Sequence, residues 1–437
     1  MGLLAPKGAA RGLGDKVKSL MGRLFLGGAL CFVTHAAQSA DMPTKAANVT
    51  EQSNNWTLNY TTDVRYFSWS GTRGFPSNSP LAANGRGTMI YAPMSLSLSG
   101  NVSPDFKLDF VARGGYVSAK QTTANETGSV STPVDTQLSA TGTYYGFTGF
   151  QPFLSVMTNL PTGKSALYGN DRFARMDPDL VDLQTYGEGF NIGPTIGVNI
   201  PLSTSLVMTL SAGYTARGAF NKEGPAIFVP QPSQRVQNGN ESTVTLALAY
   251  AEGALSANGS VAYSWDTQST VDGIAQYRAG SHVLISGGLG YAFDSHWSAT
   301  LDGYFLHTNR NDVPDVTGTL LIPEAFNSNS NLVRLNTGLK YAFDNGITVG
   351  PIASFLYRDA NAWVPTAFAF VPAKTRWSVG ATGGYAVNKK LTLNARFEHI
   401  WTRENIHPDA PLFPGTGVPD MTGRAWMISA GLTLALN

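Results

Sequence analysis

The chain is poor in cysteine and in charge. Cys31 is the only cysteine in 437 residues, which excludes a disulfide framework and a cysteine-based zinc site. Charged residues make up 14% of the sequence, against about a quarter in ordinary soluble domains. No apolar run after the N-terminal region reaches the roughly eighteen residues a transmembrane helix requires, so a helical membrane protein is excluded. The paired histidine spacing of a zinc site and the Gly-x-Ser-x-Gly elbow of a hydrolase do not occur. Gly187-Glu188-Gly189 followed by Gly193 misses the dinucleotide spacing. His399 and His407 with Glu398 and Glu404, and the pair Asp177 and Asp179, fall short of a zinc or calcium ligand set. No enzyme, cofactor or metal is expected.

What is abundant is glycine, at 47 residues, and period-two alternation. Tyr291-Ala292-Phe293-Asp294 returns as Tyr341-Ala342-Phe343-Asp344 and, changed, as Tyr385-Ala386-Val387-Asn388. Val283, Ile285, Leu289, Tyr291 and Phe293 alternate with Ser286, Gly288, Gly290 and Ala292, and the second copy repeats the pattern. Such alternation is that of strands. Ser295-His296, Asn345-Gly346 and Lys389-Lys390 supply the short links of hairpins. Aromatic pairs at one depth of three hairpins have the form of a girdle at a membrane surface.

Residues 1–40 read as a signal peptide: Lys16, Lys18 and Arg23 precede the apolar run from Leu24 to Val33, and small residues from Ala36 to Ala40 follow. Residues 41–54 are expected to form a short periplasmic segment, and 55–437 the barrel. Without the first forty residues, twenty-five basic face twenty-eight acidic residues, a net charge of −3. No basic field for nucleic acid remains.

Seven short connections and eight longer ones imply sixteen strands. The short ones fall near 100–105, 146–151, 201–205, 256–259, 294–296, 344–346 and 388–390. The predicted fold is all-β, a transmembrane antiparallel β-barrel of about sixteen strands with short periplasmic turns and long external loops, in the bacterial outer membrane. Closure is required because backbone amides in lipid must be paired within the protein. A soluble propeller would not alternate short turns with loops of twenty residues.

With the apolar face turned to lipid, the opposite parity is expected to line the lumen. It carries Asp63, Arg65, Lys107, Asp109, Arg113, Asp302, Arg334, Lys340, Arg376, Arg396 and Glu398. Seven of these are basic and four acidic, so either a bias towards anions or mutual pairing across the wall is expected.

The loop Lys164 to Glu188 is polar, with Asp171, Arg172, Arg175, Asp177 and Asp179. Two readings stay open, a solvated surface loop or a constriction folded into the lumen. Other loops are apolar and proline-rich: Ala226–Pro230, Leu320–Pro323 with Phe326, Trp363–Pro372 and Pro411–Pro414. Trp363, Phe368, Phe370 and Phe413 are the candidates for a hydrophobic mouth; the alternative is that these loops only pack on one another.

Leu160-Pro161-Thr162-Gly163-Lys164, with Gly189 and Gly193-Pro194 beyond the loop, resembles the meta-pathway phenol-degradation transporter-like barrels over about residues 150–220. The resemblance implies uptake of small aromatic or hydrophobic compounds, akin to the long-chain fatty-acid channels. Those carry an N-terminal plug, whereas Asp41 to Asn55 is too short to fill such a lumen, so any plug must come from loops. The final Leu432 to Asn437 lacks the usual terminal aromatic, from which either a degenerate assembly signal or atypical assembly is expected. The expected function is a channel for passive passage of small molecules, with outer-membrane lipid and a small solute as partners. The alternative is a structural or adhesive barrel that binds partners through its apolar loops.

Overall fold

Alternation decides the architecture, because each strand must give lipid one face and the lumen the other. In the computed structural model sixteen strands close into an antiparallel barrel. They are β1 Thr57–Gly71, β2 Gly85–Ser103, β3 Phe106–Thr123, β4 Thr136–Tyr144, β5 Gln151–Leu160, β6 Asn191–Pro201, β7 Leu206–Arg217 and β8 Glu241–Glu252. Then follow β9 Leu255–Asp266, β10 His282–Ala292, β11 Trp297–Thr308, β12 Leu332–Ala342, β13 Ile347–Arg358, β14 Lys374–Ala386, β15 Leu391–Glu404 and β16 Met421–Leu436. Each pairs with its neighbours in sequence, and β16 returns to β1 from Leu58 opposite Leu436 to Gly71 opposite Gly423.

The structure describes residues 56–71, 85–123, 126–181, 183, 185–223, 233–315, 317–318, 320–364, 370–405 and 421–436. The expected signal peptide, the segment 41–54, the apolar loops 226–230 and 411–414, and Phe368 and Phe413 lie outside them.

The lipid-facing band is predominantly apolar. On β16 the outward side chains run Trp426, Ile428, Ala430, Leu432, Leu434 and Leu436. Ten residues at about 3.3 Å each, tilted by about 40°, span roughly 25 Å, the height of a barrel's apolar band. The girdle sits at the short-turn rim: Tyr341 and Phe343 meet edge to face at 4.7 Å, Tyr291 and Phe293 at 5.1 Å, and Trp297 lies 4.8 Å from Tyr341. The turns there are closed by side chains. Asp294 accepts the N–H groups of His296 and Trp297 at 2.7 Å. Those two bonds, Trp297's foremost, hold its carboxyl below the usual carboxylate range.

One turn differs from expectation. The sequence placed it at Ser256–Gly259, but the chain reverses between Glu252 and Leu255, with Gly253 at φ 58°. Only glycine takes that conformation without strain, whereas Ser256 and Gly259 are paired wall residues opposite Ala251 and Leu248.

The long loops carry further strands. Glu126–Pro133 continues the line of β4 upward and pairs with the outer half of β3, the two parts being separated at Val134–Asp135. Phe220–Lys222, Gln234–Gln237, Ser269–Val271 and Ile274–Tyr277 form a four-stranded external sheet. Asp312–Pro314 pairs with Leu321–Pro323, and Arg278 joins the two sheets through Asp312 at 2.7 Å from its Nε.

Candidate functional site

The break at Val134–Asp135 creates the root of the site. Asp135 leaves the ladder, and its carboxylate accepts the N–H of Gly163 at 2.9 Å, the N–H of Glu188 at 2.7 Å and Nδ2 of Asn159 at 2.7 Å. Its own N–H donates to the carbonyl of Tyr186 at 3.1 Å. One side chain thereby clamps both ends of the loop Lys164 to Glu188. The clamp is tight, because a Cβ at Gly163 would overlap the Tyr186 carbonyl.

From this root the loop folds inward and is not a solvated surface segment. Leu167, Ala174, Met176, Val181 and Tyr186 are buried against Phe67 and Trp69 of β1, Met89 of β2, Val117 and Ala119 of β3, Val130, Ile400 of β15, and Ala425 and Met427 of β16. Burying side chains of this size stabilises by about 1.5–3 kcal/mol each. The short 3-10 turn Gly169–Ala174 lies so close to the strand before it that a Cβ at Gly128 would meet its backbone. Gln121 of β3 donates to the carbonyls of Phe173 at 3.0 Å and Arg175 at 3.3 Å, holding the turn from below. Tyr186 donates its hydroxyl to the Ala174 carbonyl at 3.2 Å. Burial, only partly offset by Arg175, pushes that phenol up to about 12.

The charged residues of the loop fasten it at two further points. Arg175 grips Glu223 with Nε to Oε1 at 2.6 Å and Nη2 to Oε2 at 3.2 Å, and the N–H of Leu167 donates to the same carboxylate at 3.1 Å. Burial pushes the Glu223 carboxyl up, but Arg175 and these hydrogen bonds outweigh it and leave it below the usual carboxylate range. Asp177 accepts the N–H of Asp179 at 3.0 Å, a cap before the single helical turn Pro178–Val181. Both carboxylates then meet Lys374 of β14, at 3.1 Å and 2.7 Å from its Nζ. The Lys374 side chain is only 1% exposed. Arg358 of β13 stands 3.6 Å from Asp179. Lys164 pairs with Asp171 at 2.9 Å. Arg172 lies in the 3-10 turn and reaches none of these anchors.

The eleven candidate wall residues sit at positions that alternate with the exposed apolar side chains of their strands. Many of their charges cancel along single strands: Arg65 with Asp63 at 2.6 Å, Lys107 with Asp109 at 2.8 Å, and Arg396 with Glu398. Asp109 also accepts Ser99 Oγ at 2.6 Å, and Asp302 accepts Asn336 Nδ2 at 2.8 Å. Arg113 lies on β3 opposite Ser95 and Gln137, and Lys340 near the short-turn end of β12. Arg334 and Arg376, both buried, flank Leu356 in one row of β12, β13 and β14. That row lies directly beneath the row of Arg358 and Lys374, so four basic groups gather below the acidic end of the loop. Around the remaining wall the inward residues are mostly hydroxyls, amides and small side chains, with one ionic cluster near the outer end where Arg217 meets Glu241 and, at 3.2 Å, Asp266. Thr141 meets Ser155 at 2.9 Å, Thr209 meets Asn199 at 2.8 Å, and Thr243 meets Ser264 at 2.7 Å.

At the outer rim Trp363 packs edge to face on Phe326 at 5.2 Å, and Phe370 is half-buried. Two of the apolar loops therefore touch. The residues missed by sequence reasoning are Asp135, Glu223, Arg358 and Lys374. Lys374 shares the inward parity of Arg376 and could have been read from it; the other three have no local signal.

A closed sixteen-stranded barrel with a lipid-facing apolar band, an aromatic girdle and a polar interior defines an outer-membrane β-barrel protein of the bacterial envelope. In agreement, residues 225–433 match the family model of the outer membrane protein beta-barrel domain. Among solved structures the chain is similar to an outer-membrane channel from Pseudomonas putida F1, at 11% identity and a TM-score of 0.34, over 86% of this chain and 95% of that one. It is also similar to a FadL homologue from Pseudomonas aeruginosa, at 9% identity and a TM-score of 0.42, over 87% and 90%. A BenF-like porin from Pseudomonas fluorescens Pf-5 aligns at 11% identity and a TM-score of 0.39, over 86% and 98%. No curated protein matches the chain in sequence.

Proposed function

We propose that the protein is a passive outer-membrane channel for small solutes, hydrophobic or aromatic ones included, whose lumen is narrowed by the loop Lys164 to Glu188. The observation that carries this reading is the fastening of that loop to opposite parts of the wall, at Asp135 on one side and at Lys374 on the other. A loop held this way sets the free cross-section at its own depth, and its charged edge sets which solutes pass. The solute path then runs beside the loop along the hydroxyl-lined wall of β4 to β9. Trp363, Phe326 and the exposed Val364 and Leu320 form an apolar rim above it, which favours capture of hydrophobic molecules. Three of the seven basic wall residues are neutralised within their own strands, so the anion preference is modest.

The test is flux through proteoliposomes with the purified chain. Uptake of a small aromatic solute and of a sugar is measured for the wild type and for a deletion of residues 363–372. The expected result is impaired aromatic flux with sugar flux spared. Equal loss of both would refute the hydrophobic route, and no conductance or flux from the intact chain would refute the channel itself and leave the adhesive reading.

A further inference from the structure

The outer wall is asymmetric in charge. Among the described residues, no Lys or Arg occupies an outward position on any strand from β4 to β13. Four do on the arc from β15 through β16, β1 and β2 to β3: Arg403, Arg424, Arg86 and Lys120, all exposed. No Asp or Glu occupies an outward position on that arc.

Register brings these cations together. Arg424, Ser70 and Arg86 lie directly opposite one another on β16, β1 and β2, which sets the two arginines about 10 Å apart along the row. Lys120 of β3 is paired with Thr88, one outward position below Arg86. Between and beside them are hydroxyls, with Ser118 bonded to Ser131 at 2.9 Å and Thr122 to Thr127 at 3.1 Å.

Their height is as informative as their number. Trp426 stands one outward position below Arg424, and Trp401 is paired with both Arg424 and Trp377. His399 packs against Trp426 at 3.8 Å and Trp401 at 4.1 Å. These aromatics mark the outer boundary of the apolar band. The cations stand immediately above it, at the level of lipid headgroups. A ligand bound there must present anionic groups to Arg86, Lys120 and Arg424 and an apolar body to Trp426, Ile428 and Ile90 below.

The geometry points to a binding site on this arc for the phosphorylated headgroup of an outer-leaflet glycolipid, with its acyl chains lying down the apolar face. Guanidinium groups suit phosphate through paired N–H donation. The site faces lipid and is separate from the lumen, so it stands whether or not the channel reading does.

The experiment uses the purified full chain in detergent, titrated with diphosphoryl lipid A and with the same lipid stripped of phosphate, bound lipid being counted by native mass spectrometry. The wild type is expected to hold the diphosphoryl lipid at least tenfold more tightly. Basic residues at a membrane surface contribute roughly fivefold each, so R86Q/K120Q/R424Q is expected to weaken binding by about a hundredfold. R86K/R424K keeps the charge and should retain it. K222Q/R235Q, which removes two exposed cations from the external sheet, should leave it unchanged. A loss of tenfold or less in the triple variant, an equal loss in K222Q/R235Q, or equal binding of the stripped lipid overturns the proposal. If the triple variant fails a heat-modifiability check for a folded barrel, R86Q and R424Q singly are each expected to weaken binding roughly fivefold, and no change in either overturns it.

Discussion

Removing the carboxylates that hold the inward loop at its far end should open the channel without unfolding the barrel. In D177N/D179N, Lys374 keeps its charge at 1% exposure but loses the partners at 3.1 Å and 2.7 Å, with Arg358 beside it in the same row. Lys374 still faces Glu404 of β15 in the adjoining strand, and the loop loses two charge-assisted hydrogen bonds at about 1.5–3 kcal/mol each. The aspartates retain 13% exposure, so the lower end applies to each, and about 3 kcal/mol in all corresponds to roughly a hundredfold weaker attachment. The Asp135 root and the Arg175–Glu223 pair remain, so the loop should swing while still tethered. In planar bilayers the variant is expected to show a larger and fluctuating single-channel conductance, against one steady level for the wild type. A folded variant with wild-type conductance and noise would refute the view that this pair sets the aperture.

Other outcomes follow from the same geometry. Asp135→Ala removes the acceptor of three hydrogen bonds; at about 1.5–3 kcal/mol for a bond to a charged group, the loop should become a preferred site of limited proteolysis, and an unchanged cleavage pattern would contradict its role as the root. The Glu223 carboxyl lies below its ordinary 4.5, so its bond to Arg175 is fully present above that value and lost as pH falls through the lower folded-state value. Conductance should therefore hold steady from neutral pH down to the ordinary carboxylate value and become noisy only as pH falls below it, a transition that E223Q should abolish. Gly163→Ala should lower the yield of heat-modifiable, folded barrel because its Cβ overlaps the Tyr186 carbonyl; normal assembly would show that the loop root can shift. Reversal potentials in a salt gradient should indicate a modest preference for anions, and a preference for cations would show that Asp302 and the loop aspartates outweigh Arg113, Arg334, Lys340 and Arg376.

The wall was legible in the sequence because lipid leaves it little freedom: within the membrane band the outward residues of sixteen strands are predominantly apolar, and turn chemistry at Asp294, Asn345 and Asn388 closes the short end. The turn placed at Ser256–Gly259 misled because small residues also serve inside strands. The direction of the Lys164 to Glu188 loop was not legible, since its charges suit a solvated surface as well as a buried brace. A clue existed in β1, where the polar inward series Asn59, Thr61, Asp63 and Arg65 gives way to Phe67 and Trp69. Apolar residues on a lumen face need a cover, and the loop is that cover. Asp135 and Glu223 gain their meaning only from partners 28 and 48 residues away, a separation no local pattern reveals.

The loop's apolar cover has a position as well as a function. It lies over Phe67 and Trp69 of the first strand and Ala425 and Met427 of the last, and so straddles the seam where the cylinder joins itself. Both of its far anchors, Lys374 and Arg358, come from strands laid down late in the chain. Loop and joint are therefore one mechanical unit: whatever loosens the loop also uncovers the joint from within.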